Sequence, residues 1–270
     1  MKKNILFFGA GRMGGSILSK LINECSEYYN FFIVDPFVVK SPGEFKGKCQ
    51  IYKDVKGCTQ ENVTFDVVFI AVKPQMFLDV APQINSITAK YTVIISVMAG
   101  ISCESIGLGV NNTQQIIRSM PNIAATVGYS ASTCFAGEHV LESSRKQASE
   151  VMETVGSCYW VDDEDLLHAV TGVSGSGPAY FFAFVEAMSA GGELMGLEPA
   201  LANNLAVETM IGAAMLLIKN NDATRLRQTV TSPNGTTAAA LDSLSYANSL
   251  NKLVHSAIKS AVEKSIELSK

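Results

Sequence analysis

The sequence predicts an α/β protein in which a doubly wound parallel sheet is followed by an all-α region. Over the first part of the chain, short and nearly continuous apolar runs alternate with helical segments, as expected of parallel strands covered on both faces. From about Val161 these runs disappear and long helical patterns replace them. With 270 residues, 47% of them hydrophobic, the chain can bury a sizeable core. We therefore predict two domains, residues 1–160 and residues 161–270.

The first domain contains five predicted strands. They are ILFF (5–8), FFIV (31–34), DVVFIAV (66–72), TVIISV (92–97) and QIIRSM (115–120). Helical segments lie between them, for example over residues 13–23. Strands and helices in alternation are typical of a parallel sheet with helices on both faces.

The second domain contains helices that begin at proline, the favoured first helical residue, over 178–195 and 199–219. The second of these is apolar on nearly all sides, with Glu208 its only charge before Lys219. Such a helix must be buried on all sides, so we predict an obligate homo-oligomer joined through these helices. A self-contained bundle core is the alternative. A last helix is predicted over about 247–269, with an apolar stripe along one face.

Composition excludes several classes of protein. The formal net charge is −4 and no run of Lys or Arg forms a basic stripe, so nucleic acid is not an expected partner. The six cysteines form no CxxC pair and there are only three histidines, so we expect reduced thiols and no metal site. The longest membrane candidate, residues 178–195, carries Glu186 and Glu193 and falls short of a span. We expect a soluble, cytoplasmic protein.

A glycine-rich turn follows the first strand and opens the first helix. In this GxGxxG pattern Gly9 permits the tight turn, Gly11 lets the backbone approach a pyrophosphate, and Gly14 lets the helix pack on the strand. The free N–H groups of the helix then face the phosphates. The pattern predicts a Rossmann-type dinucleotide site formed by Gly9, Ala10, Gly11, Arg12, Met13 and Gly14.

The second strand ends at Asp35, 21 residues beyond Gly14. An acid at this position accepts hydrogen bonds from ribose hydroxyls and repels a 2′-phosphate, which favours NADH over NADPH. The alternative is that Asp35 only caps the turn before Pro36.

Three more loops follow strands at the edge of the sheet where cofactors bind. Lys73 is predicted to reach phosphate or ribose, or else is a solvated surface lysine. Small residues after the fourth strand would admit nicotinamide or ribose. Asn122 is predicted to hydrogen-bond the carboxamide or substrate, or simply to start a turn. The residues predicted to face the cofactor here are Ala71, Val72, Lys73, Pro74, Ala99, Gly100 and Asn122.

Two helices of the second domain open in turns built from small residues. In TGVSGSGPAY (171–180), Gly175, Ser176 and Gly177 precede Pro178, and the unpaired N–H groups there form a ready anion site. In TSPNGTT (231–237) a turn leads to two threonines at a helix start. The alternatives are an interdomain hinge and an ordinary threonine N-cap. We call these two helix starts, at 171–180 and 231–237, the first and second helix mouths. Two anion-binding helix starts beside a dinucleotide domain predict a small anionic substrate.

The chain resembles the pyrroline-5-carboxylate reductase family. GAGRMGGSI, AVKPQ, SMPN, AVTGVSGSGPAYFF and VTSPNGTT stand in family order and spacing, nearly from end to end. The resemblance implies a helical C-terminal domain that dimerises by interlocking helices, with dimers assembling into a ring in many members. It also implies hydride transfer from NADH or NADPH to the C=N carbon of 1-pyrroline-5-carboxylate, giving L-proline.

The resemblance also implies roles for particular residues. Thr237 corresponds to the threonine beside the ring nitrogen, and we take Thr237 and Ser176 as the catalytic residues. A protonated cyclic imine accepts hydride readily, so orientation can replace a strong general acid. The residues implied to hold the substrate carboxylate are Ser174, Gly175, Ser176, Gly177, Thr236 and Thr237.

The sequence departs from the family pattern at three places. Asn234-Gly235 replace two glycines, and Ile123-Ala124 replace a usual Thr-Pro. Asp35 stands where many members carry a threonine or serine suited to a 2′-phosphate, which favours NADH or dual use. Two rival functions remain: reduction of a keto acid or a six-membered imine, and nucleotide binding without turnover.

Overall fold

A computed structural model of the chain describes residues 2–40 and 43–269, with the side chains of all of these except Lys40 and Glu44. The chain divides into two compact units, residues 1–175 with 261–270 and residues 176–260. The domain boundary placed after residue 160 stays a prediction. In the structure residues 161–175 group with the first unit, as do the C-terminal residues from Ala261 onward.

The first unit is built on one sheet. The strands within the described residues are β1 (Lys3–Phe8), β2 (Tyr29–Val34), β3 (Gln50–Tyr52), β4 (Val67–Ile70), β5 (Val93–Ser96), β6 (Ile116–Met120), β7 (Ser130–Ala136) and β8 (Gly156–Val161). Their order is β3-β2-β1-β4-β5-β6-β7-β8, with every neighbouring pair parallel except β6 and β7. All five predicted strands are confirmed; β3, β7 and β8 were not predicted.

Helices cover both faces of this sheet. The helices of the first unit are α1 (Arg12–Cys25), α2 (Pro36–Lys40), α3 (Val55–Gln60), α4 (Phe77–Ile87), α5 (Cys103–Gly109), α6 (Glu142–Glu153) and α7 (Leu166–Val170). Ile5 and Phe7 of β1 share one buried cluster with α1 and α6. Leu6 and Phe8 share the other with α3, α4 and α5. Burial on both faces explains why the strand sequences are continuously apolar rather than alternating.

A π-helical turn, Thr171–Gly175, follows α7 directly and ends the first unit. Beyond it the structure is helical. These helices are α8 (Gly177–Leu194), α9 (Pro199–Asn220), α10 (Ala223–Thr229), α11 (Thr236–Ser245) and α12 (Ser249–Glu267), the last of which ends in the first unit. The three helices predicted over 178–195, 199–219 and 247–269 are confirmed as α8, α9 and α12.

The long helix α9 is not buried within one chain. Of its residues only Ala202 and Ala206 are buried, whereas Ile211 and Met215 are 51% and 57% exposed. Within the part of the chain that the structure describes, α9 is the one helix long and apolar enough to cross a membrane. The choice of 178–195 as the longest membrane candidate was therefore wrong, because α9 is longer, at 22 residues, and reaches a mean hydropathy of 1.5.

Candidate active site

Steric constraint shapes the glycine-rich turn between β1 and α1. Gly9 has a φ of +85°, and a Cβ there would lie 2.9 Å from the carbonyl oxygen of Ala71. A Cβ on Gly14 would collide with the carbonyl oxygen of Gly9. These two glycines are therefore needed for the turn and for helix packing, as predicted from the motif.

Gly11 differs from these two glycines, because a Cβ there would meet no atom within 4 Å. Packing against the protein does not require a glycine at this position, but close approach of a ligand to the backbone does. Gly11 is also the N-cap of α1, and no side chain caps the helix. The turn thus fits a pyrophosphate, with open space and uncapped N–H groups at one place. Beside it Arg12 is exposed, and Ala10 and Met13 are half-buried.

Asp35 is 8% exposed and its carboxylate is bound by backbone groups. The N–H of Ala10 donates to its Oδ2 at 3.0 Å, and the N–H groups of Phe37 and Val38 donate to its Oδ1 at 2.8 and 3.3 Å. The carboxylate therefore caps the start of α2, which was the alternative role, and also holds the glycine-rich turn. Its negative charge lies directly beside that turn.

The loops after β4 and β5 also end at this edge of the sheet. The N–H of Ala71 donates to the carbonyl oxygen of Phe8 at 2.8 Å. Val72 and Pro74 are half-buried on either side of Lys73, which is exposed and forms no ion pair with another described side chain. Both roles suggested for Lys73 stay predictions.

The Ala99-Gly100 loop has a neighbour that was not predicted. Gly100 has a φ of +77°, and a Cβ there would lie 2.7 Å from the carbonyl oxygen of Leu268. Ala99 beside it is exposed. The end of the chain thus packs against the loop predicted to face the nicotinamide or ribose.

Asn122 makes contacts with protein atoms at both ends of its amide. Its Oδ1 accepts the N–H of Ala124 at 3.0 Å and caps a short 3₁₀ helix, Ile123–Val127. Its Nδ2 donates to the carbonyl oxygen of Ser174 at 3.0 Å. Asn122 therefore does start a turn, and its predicted contact with the cofactor stays a prediction.

The first helix mouth is formed by the π-helical turn and the start of α8. The hydroxyl of Ser174 donates to the carbonyl oxygen of Val170 at 3.1 Å, so in this conformation that proton is engaged. Ser176 is the N-cap of α8, but its side chain makes no capping hydrogen bond. Gly175 is half-buried, and Gly177 at the start of α8 is buried.

The second mouth is the start of α11. Gly235 is its N-cap and no side chain caps the helix, so neither threonine has the N-cap role that was the alternative. Thr236 is exposed and Thr237 is half-buried, and the Thr237 hydroxyl bonds to no described residue of this chain. Asn234 has a φ of +60°, as expected of an asparagine that replaces a glycine.

Sequence reasoning missed a part-buried ion pair between β6 and the residues just before α7. Nη1 of Arg118 lies 2.8 Å from Oε1 of Glu164, which also accepts the N–H of Cys103 at 2.8 Å. Burial, and then the Glu164 carboxylate, raise the pKa of the Cys103 thiol to about 12, so the thiol stays protonated at neutral pH. No pattern in the local sequence pairs an arginine in a strand with an acid 46 residues later.

Among the described residues, His, Cys, Asp and Glu form no group of three that could hold a metal ion.

Comparison with known proteins assigns both parts of the chain. Residues 164–268 match the family described as pyrroline-5-carboxylate reductase dimerisation. Residues 4–100 match the family described as NADP oxidoreductase, coenzyme F420-dependent. The pyrroline-5-carboxylate reductase of Pseudomonas aeruginosa is 36% identical, with 98% of this chain and 96% of that protein covered.

Solved structures agree with these matches. A pyrroline-5-carboxylate reductase from Coxiella burnetii has a TM-score of 0.91 at 31% identity, with all of both chains covered. The Plasmodium falciparum pyrroline carboxylate reductase, solved with NADP bound, shares the fold, with a TM-score of 0.79 at 23% identity and coverage of 99% and 98%.

The predicted fold class, a Rossmann-type parallel sheet followed by a helical dimerisation region, is confirmed. The similarity extends over nearly the whole chain and includes both predicted sites. Together with the motifs, it shows that the chain belongs to the pyrroline-5-carboxylate reductase family, a family of nicotinamide-dependent oxidoreductases.

Proposed function

We propose that this chain reduces the C=N bond of 1-pyrroline-5-carboxylate and releases L-proline. The observation that carries the proposal is the pair of helix mouths that no side chain caps, at Gly177 and Thr236, in a chain similar to pyrroline-5-carboxylate reductases over nearly its full length. Uncapped helix N-termini bind carboxylates. A protein that only binds a dinucleotide has no need of a second anion site.

The proposed roles follow from what each mouth offers. Ser174, Gly175, Ser176 and Gly177 would hold the substrate carboxylate, with the Ser176 hydroxyl as one donor, since it makes no capping hydrogen bond. When bound, the reduced nicotinamide supplies the hydride. The chain's own contribution is orientation, which can supply much of the rate when the electrophile is already activated.

The second mouth would contribute to binding of the same substrate. Thr236 would add to carboxylate binding, and the Thr237 hydroxyl would orient the ring nitrogen and relay a proton to it through water. Thr237 suits this role because its hydroxyl is half-buried and bonds to no described residue of the chain.

For the cofactor we propose NADH, or dual use of NADH and NADPH. The Asp35 carboxylate lies against the glycine-rich turn, where it would repel a 2′-phosphate. The P. falciparum protein was solved with NADP, and the family matched by residues 4–100 is described as NADP-dependent. Those descriptions concern other proteins, and Asp35 is the reason to expect a different preference here. The residues proposed to hold the dinucleotide are those of the glycine-rich turn with Asp35, Lys73, Ala99 and Gly100, and the flanking Ala71, Val72 and Pro74.

For the assembly we propose a homodimer formed through the exposed apolar sides of α8, α9 and α12, with dimers joining into a larger ring. The match of residues 164–268 to a dimerisation family supports association of this region. A second copy would cover the apolar surface of α9, so this helix need not enter a membrane. We propose a cytoplasmic protein on the same ground, and a functional division near residue 160.

The test is oxidation of NADH and of NADPH by the purified protein, with and without 1-pyrroline-5-carboxylate. We expect oxidation that depends on the imine and produces proline. The matched controls are a keto acid and a six-membered cyclic imine at the same concentration. If either control compound is reduced faster than 1-pyrroline-5-carboxylate, that compound and not the proposed imine is the substrate. No oxidation with any of them, in a folded oligomer that binds nucleotide, would favour the non-catalytic alternative.

A further inference from the structure

The helical segment from α7 through the π-helical turn into α8 contains a carbonyl group that its own helix cannot satisfy. In an α-helix the carbonyl of one residue accepts the N–H of the residue four positions later. For Ser174 that residue is Pro178, which has no N–H. The next N–H, that of Ala179, donates to the carbonyl oxygen of Ser176 instead. Ser174 therefore needs a donor from elsewhere in the protein.

Asn122 supplies this donor. Its Nδ2 reaches the carbonyl oxygen of Ser174 at 3.0 Å, while its Oδ1 accepts the N–H of Ala124 at 3.0 Å. Its backbone N–H donates to Oγ of Ser130 at 3.1 Å, and the residue is 8% exposed. With the backbone and both ends of the amide bonded, Asn122 is held in one orientation, just beyond the end of β6.

The other end of this helical segment is bound to β6 itself. Arg118 of β6 pairs with Glu164, which lies two residues before the start of α7. Residues 164 to 174 are thus attached to β6, or to the turn that follows it, at both ends. Segments held at two points by part-buried polar contacts have less freedom to shift than segments held at one.

We infer that Asn122 is a positioning residue, which makes the hydrogen bond that Pro178 cannot make and so fixes the turn 171–175 at the carboxyl end of β6. The inference rests on the proposed function, in which this turn holds the substrate carboxylate. It gives Asn122 a role distinct from the nucleotide contact expected from its place in the sequence.

Asn122→Ser tests this role. Serine retains an oxygen that can cap the 3₁₀ helix but is too short to reach Ser174. Because a displacement of about 1 Å can cost about 100-fold in rate, we expect kcat/KM for the imine to fall about 10- to 100-fold. The Kd for NADH should stay unchanged. A Kd that weakens as much as kcat/KM falls would overturn the inference and restore the nucleotide contact.

Pro178→Ala provides a rescue. It returns an N–H at the position that an α-helix would use for Ser174, so Asn122→Ser should cost less in combination with Pro178→Ala than alone. Equal fold losses with and without Pro178→Ala would contradict the proposed link between the two residues.

A measurement independent of turnover separates this inference from the proposed function. Hydrogen–deuterium exchange of the full-length protein should be faster over residues 171–181 in Asn122→Ser than in the unmodified chain, with other buried segments unchanged. Unchanged exchange over 171–181 overturns the inference. An unmodified protein that does not reduce the imine overturns the proposed function, whatever the exchange experiment shows.

Discussion

Asp35 has two physical roles whose effects must be separated. Its charge would act on a 2′-phosphate, whereas its oxygens hold the glycine-rich turn and the start of α2 through Ala10, Phe37 and Val38. Asp35→Ser would remove both the charge and the hydrogen bonds to the turn and α2, because serine is shorter and has only one oxygen. Asp35→Asn removes the charge and keeps the size of the side chain and one acceptor oxygen.

We therefore expect Asp35→Asn to raise the ratio of kcat/KM for NADPH to that for NADH by about tenfold, equivalent to about 1.4 kcal/mol. The physical reason is removal of like-charge repulsion at the 2′-phosphate. Steady-state rates with each cofactor measure it, and Asp35→Ser is the comparison that should weaken binding of both cofactors. An unchanged ratio in Asp35→Asn would leave Asp35 with a structural role only.

Thr237 can be tested by a pair of substitutions that differ in the hydroxyl. Thr237→Val keeps the branched shape and removes the hydroxyl, and we expect kcat to fall about 100-fold, within the usual contribution of proton transfer and orientation. Thr237→Ser keeps the hydroxyl and should retain most activity. The Kd for nucleotide should be the same in both. Full activity of Thr237→Val would remove Thr237 from the mechanism.

At the scale of residues, the sequence predicted interactions that depend on neighbouring residues and missed contacts between segments that are distant in the chain. The roles of Gly9 and Gly14 follow from spacing between a strand and a helix, so the motif alone indicates them. The pairing of Arg118 with Glu164 and the packing of Leu268 on Gly100 depend on how distant segments meet, which no local pattern specifies.

At the scale of elements, strand detection depended on apolar content. The five predicted strands are buried on both faces and are rich in Ile, Val and Phe. β7 was missed because its sequence SASTCFA places small polar residues in the interior, with Ser130 and Ser132 buried and hydrogen-bonded to each other. β8 lies at the sheet edge and contains exposed Ser157 and Tyr159, which hide its strand character.

The Arg118–Glu164 pair connects three elements, and its removal should be measurable as stability. Arg118→Ala leaves the Glu164 carboxylate with the N–H of Cys103 as its remaining partner, so we expect a loss of about 2 to 3 kcal/mol in the free energy of unfolding, since Glu164 is partly exposed. The measurement is the shift of the denaturant midpoint.

Glu164→Gln is the matched control for that prediction. It keeps an acceptor for Cys103 and for Arg118 and should cost less than Arg118→Ala. If the losses of Arg118→Ala and Glu164→Gln simply add in the double variant, the two side chains do not interact in the folded protein.

At the scale of the whole molecule, the apolar surface of α9 predicts association. Ile211 and Met215 would otherwise remain more than half exposed to water. Ile211→Glu should convert the oligomer to smaller species, measured as molar mass by light scattering, because a charge would be buried without a partner. Glu208→Lys, on the same helix, exchanges one exposed charge for another and is the control. An unchanged molar mass in Ile211→Glu would place the interface elsewhere.

The proposal that this chain transfers hydride to a cyclic imine is tested most directly by following the hydride itself. The protein would be incubated with 1-pyrroline-5-carboxylate and nicotinamide cofactor that carries deuterium at the reducing carbon, and the product examined by mass spectrometry and NMR. We predict L-proline with one deuterium on the carbon that formed the C=N bond. Proline without deuterium, or no proline while the cofactor stays reduced, would contradict the proposal.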